Sequence, residues 1–205
     1  MSWYEERLLP PLLNIACSAK PNRKQREKIV PRARGVVLEI GFGGGLNLAY
    51  YDRSRVSKLY ALEPSAGMRR SAAERIKQCG MDIELLALPG EQIPLQDNSV
   101  DTVLITYTLC TIQDVSSALA GARRVLRSGG RLLYCEHGRA PDRQVARWQN
   151  RLNGAWKSIA GGCNMNRDIP ALIEAEGFRI DDDQRMYIPG LRVLCYNYWG
   201  SARPG

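Results

Sequence analysis

The sequence predicts an α/β domain, doubly wound, with a seven-stranded and mostly parallel sheet whose last strand is antiparallel. Three observations carry this. Short apolar or β-branched runs alternate with helical patterns between residues 36 and 137, and strands separated by helix-length segments need crossover connections. A glycine-rich turn, Gly41-Phe42-Gly43-Gly44-Gly45, directly follows the first of those runs. The two final apolar runs are joined by a short stretch containing Ile188-Pro189-Gly190, and a connection that short favours an antiparallel pair at the sheet end.

The elements follow in order. Residues 3–15 read as a helical leader kinked at Pro10-Pro11, and residues 20–34 as a basic segment behind it. Residues 36–40 are a buried strand, and a helix begins at residues 46–51. Residues 59–62 form the second strand, after which Ser65 caps a helix running to about Gln78. Residues 83–88 and 100–106 are strands three and four. Residues 115–126 place Ala118, Leu119, Ala122, Val125 and Leu126 on one helical side, and Ser128-Gly129-Gly130 ends that helix. Residues 131–136 are strand five. The last third holds helices at 141–160 and 167–176 and strands at 178–185 and 191–199.

Composition narrows the class. With 205 residues, 44% hydrophobic and 24% charged, the chain suits one globular domain and excludes disorder, collagen-like repeats and coiled coil. Its expected organisation is a helical leader (1–34), a ligand-binding core (35–137) and a substrate-side segment (138–205). The formal charge of +8 admits an anionic partner without choosing one. Six cysteines are widely spaced with no C-x-x-C pair, so reduced thiols and no metal site are expected. One histidine, His137, excludes a mechanism that needs two. Glu5 and Glu6 stand where a signal peptide wants positive charge, and no run approaches the ~20 apolar residues of a membrane span. A cytoplasmic location is the expectation.

The glycine turn is the first functional signal. In an α/β sheet it lies where a nucleotide-like ligand meets the backbone, because glycines let that ligand approach closely. Glu63, at the end of the second strand, stands where a carboxylate accepts both hydroxyls of a ribose. The dinucleotide pattern G-x-G-x-x-G is incomplete, since its last position is Leu46. Glu39 would repel a pyrophosphate but can hold the ammonium of an amino-acid tail. The pattern therefore points to S-adenosylmethionine rather than to a dinucleotide.

The run from Glu39 to Asn47, Glu63-Pro64-Ser65 with Met68, Gly90-Glu91-Gln92-Ile93-Pro94, Asp97-Asn98-Ser99-Val100-Asp101 and Leu126-Arg127-Ser128-Gly129-Gly130 together resemble the class I S-adenosylmethionine-dependent methyltransferases. The motifs stand in family order over roughly residues 35–137. The resemblance implies the Rossmann-like methyltransferase fold and a cofactor site of Glu39, Gly41, Phe42, Gly43, Gly45, Asn47, Glu63, Pro64, Ser65, Met68, Gly90, Glu91, Thr106 and Leu109. It sets Gly41, Gly43 and Gly45 under the methionine part, Glu63 on the ribose, and Gly90 with Glu91 near adenine. Thr106 to Leu109 would run along the methionine side.

Thr108-Leu109-Cys110-Thr111-Ile112, Glu136-His137, the Trp148–Trp156 helix and Gly161-Gly162-Cys163-Asn164 followed by Arg167 are similar to a narrower branch, the thiol S-methyltransferases. The chain is less closely similar to small bacterial phospholipid and quinone methyltransferases. The animal thiol enzymes carry an N-terminal hydrophobic anchor, which this chain is expected to lack. A small, apolar acceptor with a thiol sulfur follows, the alternatives being a lipid or quinone acceptor at a membrane surface and a non-catalytic cofactor-binding partner.

His137 is the candidate base, and Tyr4, Cys110, Glu136 and Trp148 are candidate substrate contacts. Cys110 and Cys163 read foremost as small packing residues. Trp148, Leu152 and Trp156 read as the core of a helical cap. Tyr4 and residues 8–13 read as a lid. The basic cluster of Lys20, Arg23, Lys24, Arg26, Lys28, Arg32 and Arg34 reads as a solvated face with anionic-membrane contact open to it. No stacking-aromatic RNA module is evident, so nucleic acid is not an expected partner.

Overall fold

The computed structural model describes residues 9–205. Tyr4 and the beginning of the expected leader lie outside the described residues. Two helices come first, α1 (Leu9–Cys17), which contains both prolines, and α2 (Lys20–Ile29). Then follow β1 (Gly35–Ile40), β2 (Val56–Leu62), α3 (Ala66–Cys79), β3 (Ile83–Leu86), β4 (Val100–Thr106), α4 (Val115–Val125) and β5 (Leu126–His137). The chain closes with α5 (Arg143–Ile159), α6 (Ile169–Ala175), β6 (Phe178–Tyr187) and β7 (Tyr196–Pro204).

The sheet has seven strands in the order β3-β2-β1-β4-β5-β7-β6. β1 pairs in parallel with β2 and β4, and β4 with β5, whereas β7 runs antiparallel to both β5 and β6. Strand order reverses between β1 and β4, and in open α/β sheets ligands bind beyond the carboxyl ends at that point. Successive residues of the central strands face opposite layers, as the two-residue period of a strand requires. Leu38, Ile105 and Leu132 enter one apolar cluster with α4 and α6, while Val37, Leu104 and Leu133 enter another with α2 and α3.

Several expectations need correction. The helix expected after the glycine turn is a single 3-10 turn, Leu46–Ala49, entered through Gly45 at φ +73°. Ser128-Gly129-Gly130 does not end α4. That helix stops at Val125, where Leu126 turns extended, and the glycines belong to β5. The connection from β6 to β7 spans residues 188–195, so the pairing is set by the long register from Phe178↔Pro204 to Tyr187↔Tyr196 rather than by a tight turn.

The basic segment is only in part a solvated face. Arg26 is buried, donates to the Cys17 carbonyl at 2.9 Å and lies over the Tyr107 ring. Arg32 makes a bidentate pair with Asp182 at 2.9 Å, because α2 packs across β5 and β7. Helix α5 buries only part of the face expected as a cap core: Ala146 and Gln149 are buried, Val145 and Trp156 half-buried, and Trp148 (53%) and Leu152 (42%) exposed. Gln149 fixes the helix instead, donating to the Gly138 and Val193 carbonyls at 3.0 Å and accepting from Ala140 N–H at 2.9 Å. Among the described residues no helix is long and apolar enough to cross a membrane.

Candidate active site

The glycine turn bends three times through left-handed backbone, at Gly41 (φ +74°), Gly43 (φ +58°) and Gly45 (φ +73°). The glycines differ in what surrounds them. A Cβ on Gly41 would sit 2.1 Å from Thr108 Oγ1, so this glycine is demanded by the approach of the β4 loop. A Cβ on Gly43 would meet nothing nearer than Met68 Cε at 3.7 Å. That face of the loop is therefore open to a ligand.

Glu63 braces the turn from the end of β2. Its Oε2 accepts from Gly43 N–H and its Oε1 from Ser65 N–H, both at 2.8 Å. Burial pushes its carboxyl above the usual range, and the two backbone bonds oppose that. Ser65 also caps α3 by accepting from Met68 N–H at 3.3 Å. Pro64 is exposed beside it.

Glu39 lies deeper, 1% exposed at the end of β1. Its Oε1 accepts from Asn47 Nδ2 at 2.9 Å and its Oε2 from the Tyr51 hydroxyl at 2.5 Å. Asn47 Nδ2 also donates to Thr106 Oγ1 at 2.9 Å, which ties β1 to β4 across the switch point. Burial pushes the Glu39 carboxyl up to about 7 despite these donors. Phe42 packs with Leu48 and Ala72 in the α3-side core. Gly90 packs against Ile40 and Ile112, and Glu91 accepts from Asp114 N–H at 3.3 Å beside the start of α4.

The β4 end turns on Tyr107, a non-glycine residue at φ +53°. Such a residue costs about 1 kcal/mol and is held only by its surroundings. Tyr107 N–H donates to the Cys135 carbonyl and its hydroxyl to Asn197 Oδ1, both at 2.8 Å. The turn aims two backbone donors, Thr108 N–H (2.6 Å) and Leu109 N–H (3.0 Å), at Glu136 Oε1 on β5. Glu136 is fully buried, and burial raises its carboxyl.

Cys110 comes next on the same loop, and segment 160–168 folds over it. Asn164 clamps the two segments: its backbone N–H and its Nδ2 both donate to the Cys110 carbonyl, at 2.8 and 3.0 Å. Arg167 donates to the carbonyls of Leu109 and Ile112. This brings Cys163 Sγ to 3.1 Å from His137 Nε2 at the end of β5. The Cys110 and Cys163 thiols lie within 4.8 Å of each other, and the neighbouring thiol together with burial raises the Cys163 thiol. Trp148 stands apart on the outer side of α5, its ring beneath the Arg151 guanidinium.

Buried polar atoms at this sheet edge with no partner among the described residues include Asn14 Oδ1, Arg26 Nε, Asn47 Oδ1, Glu136 Oε2 and His137 Nδ1. Buried polar atoms are ordinarily satisfied, so such a cluster fits a polar ligand. Asn14 of α1 reaches the glycine turn, its Oδ1 2.6 Å from where a Gly44 Cβ would stand. Asn14, Tyr51, Tyr107 and Asn164 were not singled out by sequence reasoning. Asn164 stood within the Gly161-Gly162-Cys163-Asn164 motif and Tyr107 within the run from Thr106 to Leu109; Asn14 and Tyr51 belong to the site through tertiary packing.

Comparison with known proteins bears on the same edge of the sheet. A family model described as a methyltransferase domain matches residues 38–134. The thiol S-methyltransferase TMT1B of Homo sapiens is 30% identical over 173 residues, 77% of this chain and 70% of that protein. The rat protein of the same name is 31% identical over 147 residues, 69% of this chain and 59% of its own length. This chain thus spans about three fifths of the rat relative. The demethylmenaquinone methyltransferase of Thermobifida fusca is 30% identical over 153 residues, 71% of this chain and 64% of that one. Among solved structures, a SAM-dependent methyltransferase of Thermotoga maritima superposes with a TM-score of 0.66 at 20% identity, over 98% of this chain and 97% of that one. The glycine turn, the acid at the end of β2, the 3-2-1-4-5-7-6 sheet and these likenesses converge: the chain belongs to the class I S-adenosylmethionine-dependent methyltransferases.

Proposed function

We propose that this methyltransferase moves the methyl group of S-adenosylmethionine to the sulfur of a small, apolar thiol. The observation that supports this acceptor is the reach of the likeness to human thiol S-methyltransferase, 173 residues, against residues 38–134 for the methyltransferase domain. The aligned length exceeds the domain match, so the similarity runs beyond the cofactor-binding core.

The residues fit the cofactor's chemistry. Glu63 is the acid for the ribose diol, exchanging its bond to Gly43 N–H for a hydroxyl, and Gly43 offers the open backbone face. Glu39 supplies a buried carboxyl and Asn47 the unpartnered Oδ1 for the amino-acid tail. Gly90 and Glu91 flank the adenine side. The cofactor supplies an activated methyl on a sulfonium, and the protein's task is to align it with the acceptor and exclude water. A thiol needs little deprotonation, since a pKa of ~8.5 leaves a few percent thiolate at neutral pH. His137 meets the acceptor side through Cys163 rather than as an open base.

A second reading, a quinone or lipid acceptor at a membrane, is favoured by the likeness to the demethylmenaquinone enzyme and by apolar side chains left exposed on α1 (Leu12, Ile15) and α5 (Trp148, Leu152). One experiment separates the two. Calorimetry with S-adenosylhomocysteine is followed by labelled-methyl transfer to alkyl thiols, quinols, amines and anionic-lipid vesicles. S-methyl product is the expected result. Transfer to quinol or lipid with none to thiols overturns it.

A further inference from the structure

We propose that Cys110, His137 and Cys163 form a three-ligand zinc site that binds and activates the acceptor thiol. Cys110 Sγ, a His137 ring nitrogen and Cys163 Sγ all lie within 4.8 Å of one another, with His137 Nε2 and Cys163 Sγ 3.1 Å apart. A tetrahedral zinc with Zn–S of about 2.3 Å and Zn–N of about 2.0–2.1 Å has ligand-to-ligand edges of about 3.6–3.8 Å. Closure on a metal thus needs only small side-chain movements.

The three side chains come from three separate segments, and each is held by its backbone. The Cys110 carbonyl receives two donors from Asn164, which fixes Cys163 immediately before it. Segment 160–168 reaches this place through left-handed turns at Gly161 (φ +61°) and Gly162 (φ +86°), and Asn153 of α5 holds Asn164 Oδ1 at 3.1 Å. His137 ends β5, paired with Asn197 of β7. A preorganised pair of thiols and an imidazole is a donor set for zinc, and three protein ligands leave the fourth position to a substrate.

The site also stands where the acceptor is needed. Cys110 directly follows Leu109, whose N–H is held with that of Thr108 by Glu136, and Thr108 packs on Gly41 of the glycine turn. In the reaction an acceptor thiol gives its proton to solvent on taking the fourth position, because a metal-coordinated thiol is deprotonated outright. Its sulfur lone pair then bonds to the donor methyl carbon. The carbon–sulfonium bond breaks with its electron pair kept by the departing S-adenosylhomocysteine sulfur. Each turnover yields one neutral thioether, a weaker ligand that leaves, and one proton.

The role in thiol activation rests on the proposed thiol acceptor; the metal site does not. The whole chain, stripped with chelator and kept reduced, is titrated with Zn(II) and with Co(II). One equivalent is expected, with a thiolate-to-cobalt charge-transfer band that disappears in Cys163→Ser and Cys110→Ser and persists in Cys79→Ser, a buried cysteine at the end of α3. Retained folding of the serine variants is checked by S-adenosylhomocysteine binding. Absence of binding, or binding unchanged in both serine variants, overturns the site. Thiol methylation at pH 7 is then expected to fall about 30-fold on chelation, the ratio of full to few-percent thiolate, and to return with Zn(II). Methylation of thiols that is indifferent to chelation overturns the activating role. Bound zinc with methyl transfer only to other acceptors leaves the site standing and overturns both that role and the thiol reading.

Discussion

The two sides of the switch point are built differently. On the cofactor side, β1, the glycine turn and the end of β2 lie close in sequence and brace one another through Asn47 to Glu39, Tyr51 to Glu39 and Gly43 to Glu63, while Asn47 to Thr106 reaches across to β4. On the acceptor side, Cys110, Glu136 and Cys163 come from distant segments and meet through backbone clamps supplied by Asn164 and Arg167. The cofactor side meets the β4 end at Thr106 and Thr108, while the acceptor side depends on every loop that reaches it. A fold of this kind can vary its substrate without rebuilding its cofactor site.

Substitutions within the glycine turn break the comparison most strongly. Gly41→Ala drives a Cβ onto Thr108 and adds left-handed strain, for an expected loss of about 2–4 kcal/mol in denaturant unfolding. Gly43→Ala meets only an ordinary contact with Met68 and loses about 1 kcal/mol to left-handed strain, yet S-adenosylhomocysteine affinity is expected to fall more than about tenfold by calorimetry. Equal stability losses in the two variants would remove the distinction between a packing glycine and a ligand-facing one.

Glu136→Ala leaves the buried N–H groups of Thr108 and Leu109 without their acceptor, and about 2–3 kcal/mol of stability is expected to go with it. The β4 loop should lose order, seen as faster amide exchange at residues 108–112, while the residues of α3 keep their protection. Exchange unchanged at the loop would show that Asn164 and Arg167 suffice to hold it.

Glu39→Gln sharpens the cofactor side through pH. Its carboxyl titrates near 7 in the fold and near the ordinary 4.5 when unfolded, so the folded state holds the extra proton between those values. Stability is fully present below 4.5 and declines as pH rises through about 7. The wild-type melting temperature should show this decline; that of Glu39→Gln should be flatter and higher at pH 8. Weaker cofactor binding in the same variant at pH 8 would mark Glu39 as the partner of the amino-acid tail.

The smallest effect is expected on the outer face of α5. Trp148→Ser should change stability by less than about 0.5 kcal/mol, because the ring is half exposed. A rise in KM for apolar acceptors with unchanged kcat would make α5 a wall of the acceptor path. Unchanged KM would leave Trp148 to a surface role.

Residue types and order alone carried the alternation of strands and helices, the glycine turn, the acid at the end of β2 and the Ser65 cap. These are local properties: period, turn chemistry and capping act over a few residues. They were legible because each is enforced by its immediate neighbours, and the motif order gave the family. The boundaries of the last third were less legible, since β7 is placed by its register with β5 and β6 and not by a turn.

What only the tertiary structure decided is which distant side chains share an environment. Burial raised Glu39 and joined it to Tyr51, packing of α2 across the sheet took Arg26 and Arg32 out of a basic surface, and α5 left Trp148 outward. The meeting of Cys110, His137 and Cys163 belongs here too. Sequence separation hides such a cluster, because its geometry is set by loop closure and backbone clamps between segments, and no local periodicity records them.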